Sequence, residues 1–521
     1  MDGHGIRRRL VSALATASVL VLLTTPALAA PALVRVSGPS PFVGCSTPKV
    51  GGVNYLNAEV EPYVAVNPAD PRNLIGVWQQ DRWSNGGARG LMAGYSTDGG
   101  RSWGRTTLPF DRCASGGLPY DRASDPWVSI GPDGTAYAVG LSFIPTTVPP
   151  LGSGPDAISV ATSADGGKTW GNLHRIATGT GDHGHRLLDK ESVTADPTRP
   201  GTAYAVWDRL FVENSSPTSP FRGPAFFSKT TDGGRTWSTP RAIAATGPNQ
   251  QTIGNQIVVD ARTHTIYDFY AFFFCTCPSI PKAAYVKSTD GGATWSRQHV
   301  VGQIRDSAVV NPNTGQYIRT EDFTPTVAID QRTGQLYVAW QDGRFSGATY
   351  PEVGLTTSTD GGKTWSRFRR VSTPTGRPAF TPTVAVDAAG TVGLTYYDFR
   401  RLQPANKTTL PTDYWFKTSS THGRTFSSDL HVAGPFNMLA APDAGGPFVG
   451  DYQGLTAVDT AFQTFFVQTN CRTTCEHNRT DVYTARLPGR VTSGAAAQPV
   501  AAAAETSARP RRMVGAAATA R

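Results

Sequence analysis

Long apolar runs are absent from this 521-residue chain beyond about residue 23, and no later segment is long enough to cross a bilayer as a helix. Stretches with apolar residues at helical spacing are few, which argues against a helical fold. The formal net charge is +9, yet the ends carry most of it. Three Arg and one Asp lie in the first 29 residues and five Arg and one Glu lie from Arg490 onward, leaving the body at about +3. That balance gives no reason to expect a nucleic-acid partner. Cysteine is sparse, with six in all, enough for a few bridges in an exported chain. Cys45 and Cys113 flank the first repeat unit, Cys471 and Cys475 are spaced to close a small loop, and Cys275 and Cys277 are too close to bridge comfortably.

What is present begins with an export leader. Arg7, Arg8 and Arg9 precede an apolar run, and Ala27–Ala29 (ALA) offers a cleavage site, so residues 1–29 read as a signal peptide. The Ala- and Arg-rich tail, 490–521, reads as disordered. A secreted, extracellular monomer with no membrane attachment after cleavage is expected. Residues 30–489 form one domain, because they are built from a repeat. One eight-residue motif recurs at 96–103 (STDGGRSW), 163–170 (SADGGKTW), 230–237 (TTDGGRTW), 288–295 (STDGGATW) and 358–365 (STDGGKTW), with a worn copy at 419–426 (SSTHGRTF). Its Asp can accept N–H bonds from the turn it opens, its glycines tolerate positive φ, and its Trp can pack on a neighbouring unit. It reads as a structural clip.

Upstream of each clip lie short β-branched runs bounded by Gly, Pro and Asp, such as 325–330 (PTVAID) and 335–340 (QLYVAW), or 382–387 (PTVAVD) and 391–397 (TVGLTYY). With the runs flanking the clip they make four strands per unit, A to D. The fold class is therefore all-β, a β-propeller of four-stranded antiparallel blades. After the sixth clip a partial unit (454–458, 464–467, 481–485) lacks a clip and a fourth strand. Residues 32–37 (ALVRVS) resemble the outer strand 368–372 (FRRVS) and would close the ring, so seven blades are favoured over six.

In such a blade, the starts of strands A and the ends of strands B share one face, and the clips lie on the other. The first face collects acids and arginines from nearly every unit. Strand A starts lie nearest the axis, which makes Glu61, Asp125, Glu191, Glu321 and Tyr452 candidates for a central site. Ion pairs that merely lock adjacent loops are the plainer explanation of any single pair. Trp78, Trp207, Trp340, Tyr396 and Tyr397, in mid-strand, are expected to fill gaps between blades, whereas Trp83, in a loop, is the better candidate for stacking on a sugar. His183 and His185 have metal-ligand spacing, but loop histidines usually bind none, and neither metal nor cofactor is expected.

The clip, S-x-D-x-G-x-x-W, resembles the Asp-box (BNR) repeat of sialidases and other β-propellers, and the chain from about Asn57 to Leu487 is similar to the sialidase superfamily. In that family three arginines grip the substrate carboxylate, an Asp is the acid/base, and a Tyr paired with a Glu is the nucleophile. The resemblance implies Tyr452, in 450–455 (GDYQGL), as nucleophile, Glu321 or Glu191 assisting it, and Asp81 as acid/base. Arg82, Arg319 and Arg377 would bind substrate, with Glu61, Asp125 and Asp451 lining the same site. Val60 stands where the family's first arginine would, between Glu59 and Glu61, an arrangement that repels an acidic sugar. The expected activity is thus a secreted, sialidase-like exo-glycosidase hydrolysing terminal sugars, with lowered specificity for sialic acid; a different glycan would be attacked by two carboxylates. The rival readings are a polysaccharide lyase and a non-catalytic propeller binding glycan or protein through the same face.

Overall fold

The computed structural model describes residues 31–147, 153–179, 186–212, 220–274, 279–470 and 479–491. The leader, nearly all of the tail, His183, His185, Cys275, Cys277, Cys471 and Cys475 lie outside them. Cys45 and Cys113 form a disulfide. The regular elements among the described residues are all strands apart from two short 3-10 turns, at Gly343–Phe345 and Met438–Ala440. No helix among them is long and apolar enough to cross a membrane.

The strands follow the repeat. In the first unit Glu59–Asn67, Asp70–Arg82, Ala88–Ser96 and Gly104–Thr107 pair in sequence order, each antiparallel to the last. Thr326–Ile329, Leu336–Asp342, Glu352–Ser358 and Arg369–Arg370 do the same in the fifth. The sheet made by Gly454–Val458, Ala461–Thr469 and Thr480–Pro488 gains its fourth strand from Val34–Arg35, which pairs with Tyr483 and Thr484. The first strands of successive units touch one another in order around the molecule, and Gly454–Val458 touches Glu59–Asn67.

Aromatic side chains fill the spaces between units. Trp78, Trp207, Trp340, Tyr396 and Tyr397 are all buried, as mid-strand position suggested. The clip tryptophans pack on neighbouring units: Trp295 lies edge-on to Phe227 (5.2 Å between ring centres), Trp365 meets Phe269 (6.1 Å), and Trp103 meets Phe465 of the last sheet (5.5 Å).

The clips are built as the motif implies. The Asp165 carboxylate accepts the N–H groups of Lys168 and Thr169 (both 3.0 Å) and the Thr169 hydroxyl (2.6 Å). Ser163 donates its hydroxyl to Asp165 (2.8 Å) and accepts the Gly167 N–H (2.9 Å). Partial burial works against ionisation, but these bonds outweigh it and hold the carboxyl down at about 2. In the worn copy Thr421 takes the aspartate's place, its hydroxyl oxygen accepting the Thr425 N–H (2.9 Å). The clips abut the turns that follow the first strands, as where Asn73 donates to the Gly166 carbonyl (3.1 Å), so they sit at the far end of those strands from Glu61 and Asp125.

Asp165→Ala is expected to cost about 1 kcal/mol at neutral pH, the scale of a capping bond at an exposed position. Because the folded carboxyl is depressed, its contribution is present above about pH 4, the unfolded value, and fades as pH falls toward about 2. Urea denaturation of both proteins at pH 7 and pH 2.5 checks this, and equal losses at the two pH values would contradict it.

Candidate functional site

The first strands share a bulge near their starts. Pairing with the second strand skips between Val60 and Tyr63, between Ser124 and Trp127, between Asp189 and Ser192, between Ile253 and Gln256, and between Phe380 and Thr383. The first skipped residue is left-handed each time: Glu61 (φ 53°), Asp125 (φ 50°), Lys190 (φ 49°), Gly254 (φ 71°) and Thr381 (φ 47°). A left-handed backbone costs a non-glycine residue on the order of 1–3 kcal/mol, and bulges re-aim side chains beside functional sites. Here three consecutive units place Glu61, Asp125 and Lys190 at one structural position.

Lys190 is the hub. Its ammonium nitrogen lies 2.5 Å from Asp451, 3.3 Å from Asp125, and 3.6 Å from both Glu61 and Glu321. Arg319 also reaches Asp451, at 3.3 Å. Burial disfavours a charged lysine, but Asp125, Asp451, Glu61 and Glu321 together hold Lys190 well above its ordinary value. Asp451 is also buried, which would raise it. The charges of Lys190 and Arg319, with hydrogen bonds from Lys190 and Glu61, instead hold it well below the carboxylate range.

Glu321, Asp189, Glu61 and Glu191 go the other way. Burial, then the charge of Asp451, pushes Glu321 up to about 8. Burial, then Asp125, raises Asp189 to about 7 and lifts Glu61 and Glu191 well above the usual range. Asp451 is thus held ionised while Glu61, Glu191 and Glu321 are pushed toward the protonated form, the division of labour that acid–base chemistry requires.

Tyr452 stands in the same pocket as Asp125, Lys190, Glu191, Glu321 and Asp451. Its ring meets Trp127 edge-on at 5.2 Å, and Trp127 stacks on Tyr63 at 3.5 Å. Its hydroxyl donates to the Pro126 carbonyl (3.0 Å). Burial, then Glu61 and Asp125, raises the phenol well above its ordinary value, which favours the neutral form.

Three expectations are corrected. The Asp81 carboxylate is fully buried and accepts bonds from the Ser40 hydroxyl (2.6 Å), the Asn57 N–H (2.9 Å) and the Gln80 amide (3.2 Å), so it anchors the N-terminal segment rather than serving as acid/base. Arg377 bonds the Gly376 carbonyl (3.3 Å) in its own loop and joins none of the acids around Lys190. Arg82 and Arg319, by contrast, lie over the same Phe448 ring, at 5.1 and 4.5 Å from its centre. Trp83 offers no sugar platform: it is buried beneath the Arg122 guanidinium (4.4 Å), because its strand end bridges back to Asn54.

Lys190 escaped the sequence reading. The signal was present, since Lys190 precedes Asp196 by the same six residues that separate Glu61 from Asn67.

The last unit reaches this cluster through Gly450. Its φ is 138°, and an added Cβ would lie 2.8 Å from the Glu61 nitrogen and 2.9 Å from the Tyr452 oxygen. Gly450→Ala is therefore expected to cost about 2–3 kcal/mol through backbone strain and displaced neighbours, read as a lowered thermal midpoint.

No family model matches the chain, and no curated protein matches it. Among solved structures, it is similar to a Hadza microbial sialidase at 15% identity, with 81% of this chain and 74% of that one covered and a TM-score of 0.45. It is also similar to a Penicillium chrysogenum alpha-L-arabinanase complexed with arabinobiose (15% identity, 71% and 94% covered, TM-score 0.44). A third similarity is to an intramolecular trans-sialidase from Ruminococcus gnavus (14% identity, 87% and 98% covered, TM-score 0.40).

Proposed function

We propose that this chain is a retaining glycoside hydrolase of the propeller type, exported and monomeric, that acts on terminal sugars other than sialic acid. The observation that carries the reading is the convergence of carboxylates from four units on Lys190 with their proton affinities split. Glu321, protonated up to about pH 8, is the acid that protonates the leaving oxygen. Asp451, held ionised, is the nucleophile or the charge stabilising the oxocarbenium-like transition state. Because each approaches the Lys190 nitrogen so closely, the contacting oxygens of Glu321 and Asp451 are at most about 6 Å apart, nearer the spacing of retaining than of inverting pairs.

Tyr452 hydrogen-bonds a carbonyl rather than a glutamate, which supports a carboxylate nucleophile and leaves the phenol to shape the pocket with Trp127. Val60 in place of an arginine, with Glu61 beside it, supports a substrate without a carboxylate. A seven-bladed ring closed by Val34–Arg35 is part of this reading, supported by that strand's pairing with Thr480–Pro488 and by the contact between Gly454–Val458 and Glu59–Asn67. Removal of residues 1–29, the free tail 490–521 and a carbohydrate partner complete it.

The test is release of sugar from a panel of aryl glycosides, sialosides and polysaccharides, followed by Asp451→Asn and Tyr452→Phe. Loss of turnover is expected in the first, and a smaller loss with retained fold in the second. Retention is read from the anomer first formed, by proton NMR. A protein that binds glycans while releasing none is a binding propeller, and the hydrolytic reading then fails.

A further inference from the structure

Acids outnumber cations around the pocket, and one acid is left over. Glu191 follows Lys190 in the bulge, is 3% exposed, and neither of its carboxylate oxygens finds a hydrogen-bond partner in another residue. It lines the pocket together with Trp127, Lys190 and Asp451. Its charged neighbours are Asp125 and Asp189, which repel a second negative charge, and Lys190, whose contacts are with the other four carboxylates. A buried carboxyl group without a partner is costly, so such a group in a pocket wall is poised for something that enters.

The surroundings indicate what would satisfy it. The same cluster already holds one ammonium, that of Lys190, by carboxylates at 2.5 to 3.6 Å. Trp127 supplies an aromatic wall, and a carboxylate with an aromatic ring is a pairing that receives an organic cation. An arriving ammonium would bring the counter-charge that Glu191 lacks and would favour its ionised form.

We infer that the pocket takes a sugar bearing a free primary amine, whose ammonium is received by Glu191 beside Trp127. This deepens the glycosidase reading and rests on it. Acetylation of the amine removes the charge that Glu191 would receive, so the acetylated sugar is the informative control.

The test is calorimetric titration of the full chain at pH 6.5 with fully deacetylated glucosamine oligomers, their N-acetylated counterparts, and butylamine. The deacetylated oligomer is expected to bind about tenfold or more tighter than the acetylated one, as a charge-assisted bond provides. In Glu191→Gln that discrimination is expected to disappear with the thermal midpoint unchanged or raised. Equal binding of the two oligomers overturns the inference, and so does full discrimination in Glu191→Gln. Butylamine binding as tightly as the oligomer overturns it too, since the sugar is then not what is recognised. Should the variant fail to fold, the comparison of oligomers on the natural protein still decides. Binding is read without turnover, so the two readings fail separately. Amine discrimination with no sugar released from any glycoside sinks only the hydrolytic reading, while hydrolysis of neutral glycosides without amine preference sinks only this one.

Discussion

Lys190→Met is expected to destabilise the protein by about 3–5 kcal/mol at pH 7, the scale of removing one partner from a buried ion cluster. Methionine is unbranched and only one heavy atom shorter, so the loss reports mainly charge rather than volume. Four carboxylates would then face one another with only Arg319 in contact with one of them. The pH dependence follows from the directions of the shifts. Lys190 is raised, so its contribution is full below about pH 10, the unfolded value, and is lost only as pH climbs through the folded one. Asp451 is depressed, so its contribution is present above about pH 4 and is lost as pH falls through its folded value. Glu321 and Asp189 act in the opposite sense. Their folded values of about 8 and about 7 lie above the unfolded ones, so they draw stability down as pH rises from about 4 toward those values. Without the lysine the acids are protonated more readily, and the gap between variant and natural protein narrows below about pH 4. Urea denaturation at pH 7 and pH 3.5 measures both quantities. A variant as stable as the natural protein at pH 7 would falsify the hub role of Lys190.

Glu321→Gln is expected to lower turnover by roughly 10²–10⁴-fold, the usual contribution of a positioned general acid, while the thermal midpoint changes little. Glu321 is faced by Asp451 and Asp189, which raise it, and by Lys190 and Arg319, which lower it. The proposed reaction needs this group protonated, so activity should decline above about pH 8. The partner requirement, an ionised Asp451, places the acid limb below the range in which the protein is readily assayed. The profile is therefore a plateau with a basic edge, and the edge should be absent from the residual activity of Glu321→Gln. Activity of the natural protein that is lost above pH 5 would assign the acid to another carboxyl group.

Much of this was legible in the chain. The clip declares itself because every part of it is local: Ser163, Asp165, Gly167 and Thr169 bond within seven residues of one another, so composition and spacing carry the geometry. The burial of Trp78, Trp207 and Trp340 is legible for the same reason, since each recurs at one place in a repeated strand. The acids at strand starts were found by counting along units, and Glu61, Asp125, Glu321 and Asp451 do meet around one nitrogen. Where reasoning by likeness replaced counting, it went astray. Asp81 was assigned acid/base work by the resemblance, yet Ser40, 41 residues earlier, donates to its buried carboxylate together with Asn57 and Gln80.

Strand periodicity, the repeat, its turn chemistry and the side of the sheets on which the acids gather are therefore written in residue order, because each depends on interactions spanning a few residues. Which of those acids keeps its proton is not. That depends on Lys190 reaching Asp451 across 261 residues of chain and on Arg319 reaching it across 132. Proton affinity in a buried cluster is set by distances to charges and by exclusion of water, and only the packing of the sheets supplies either.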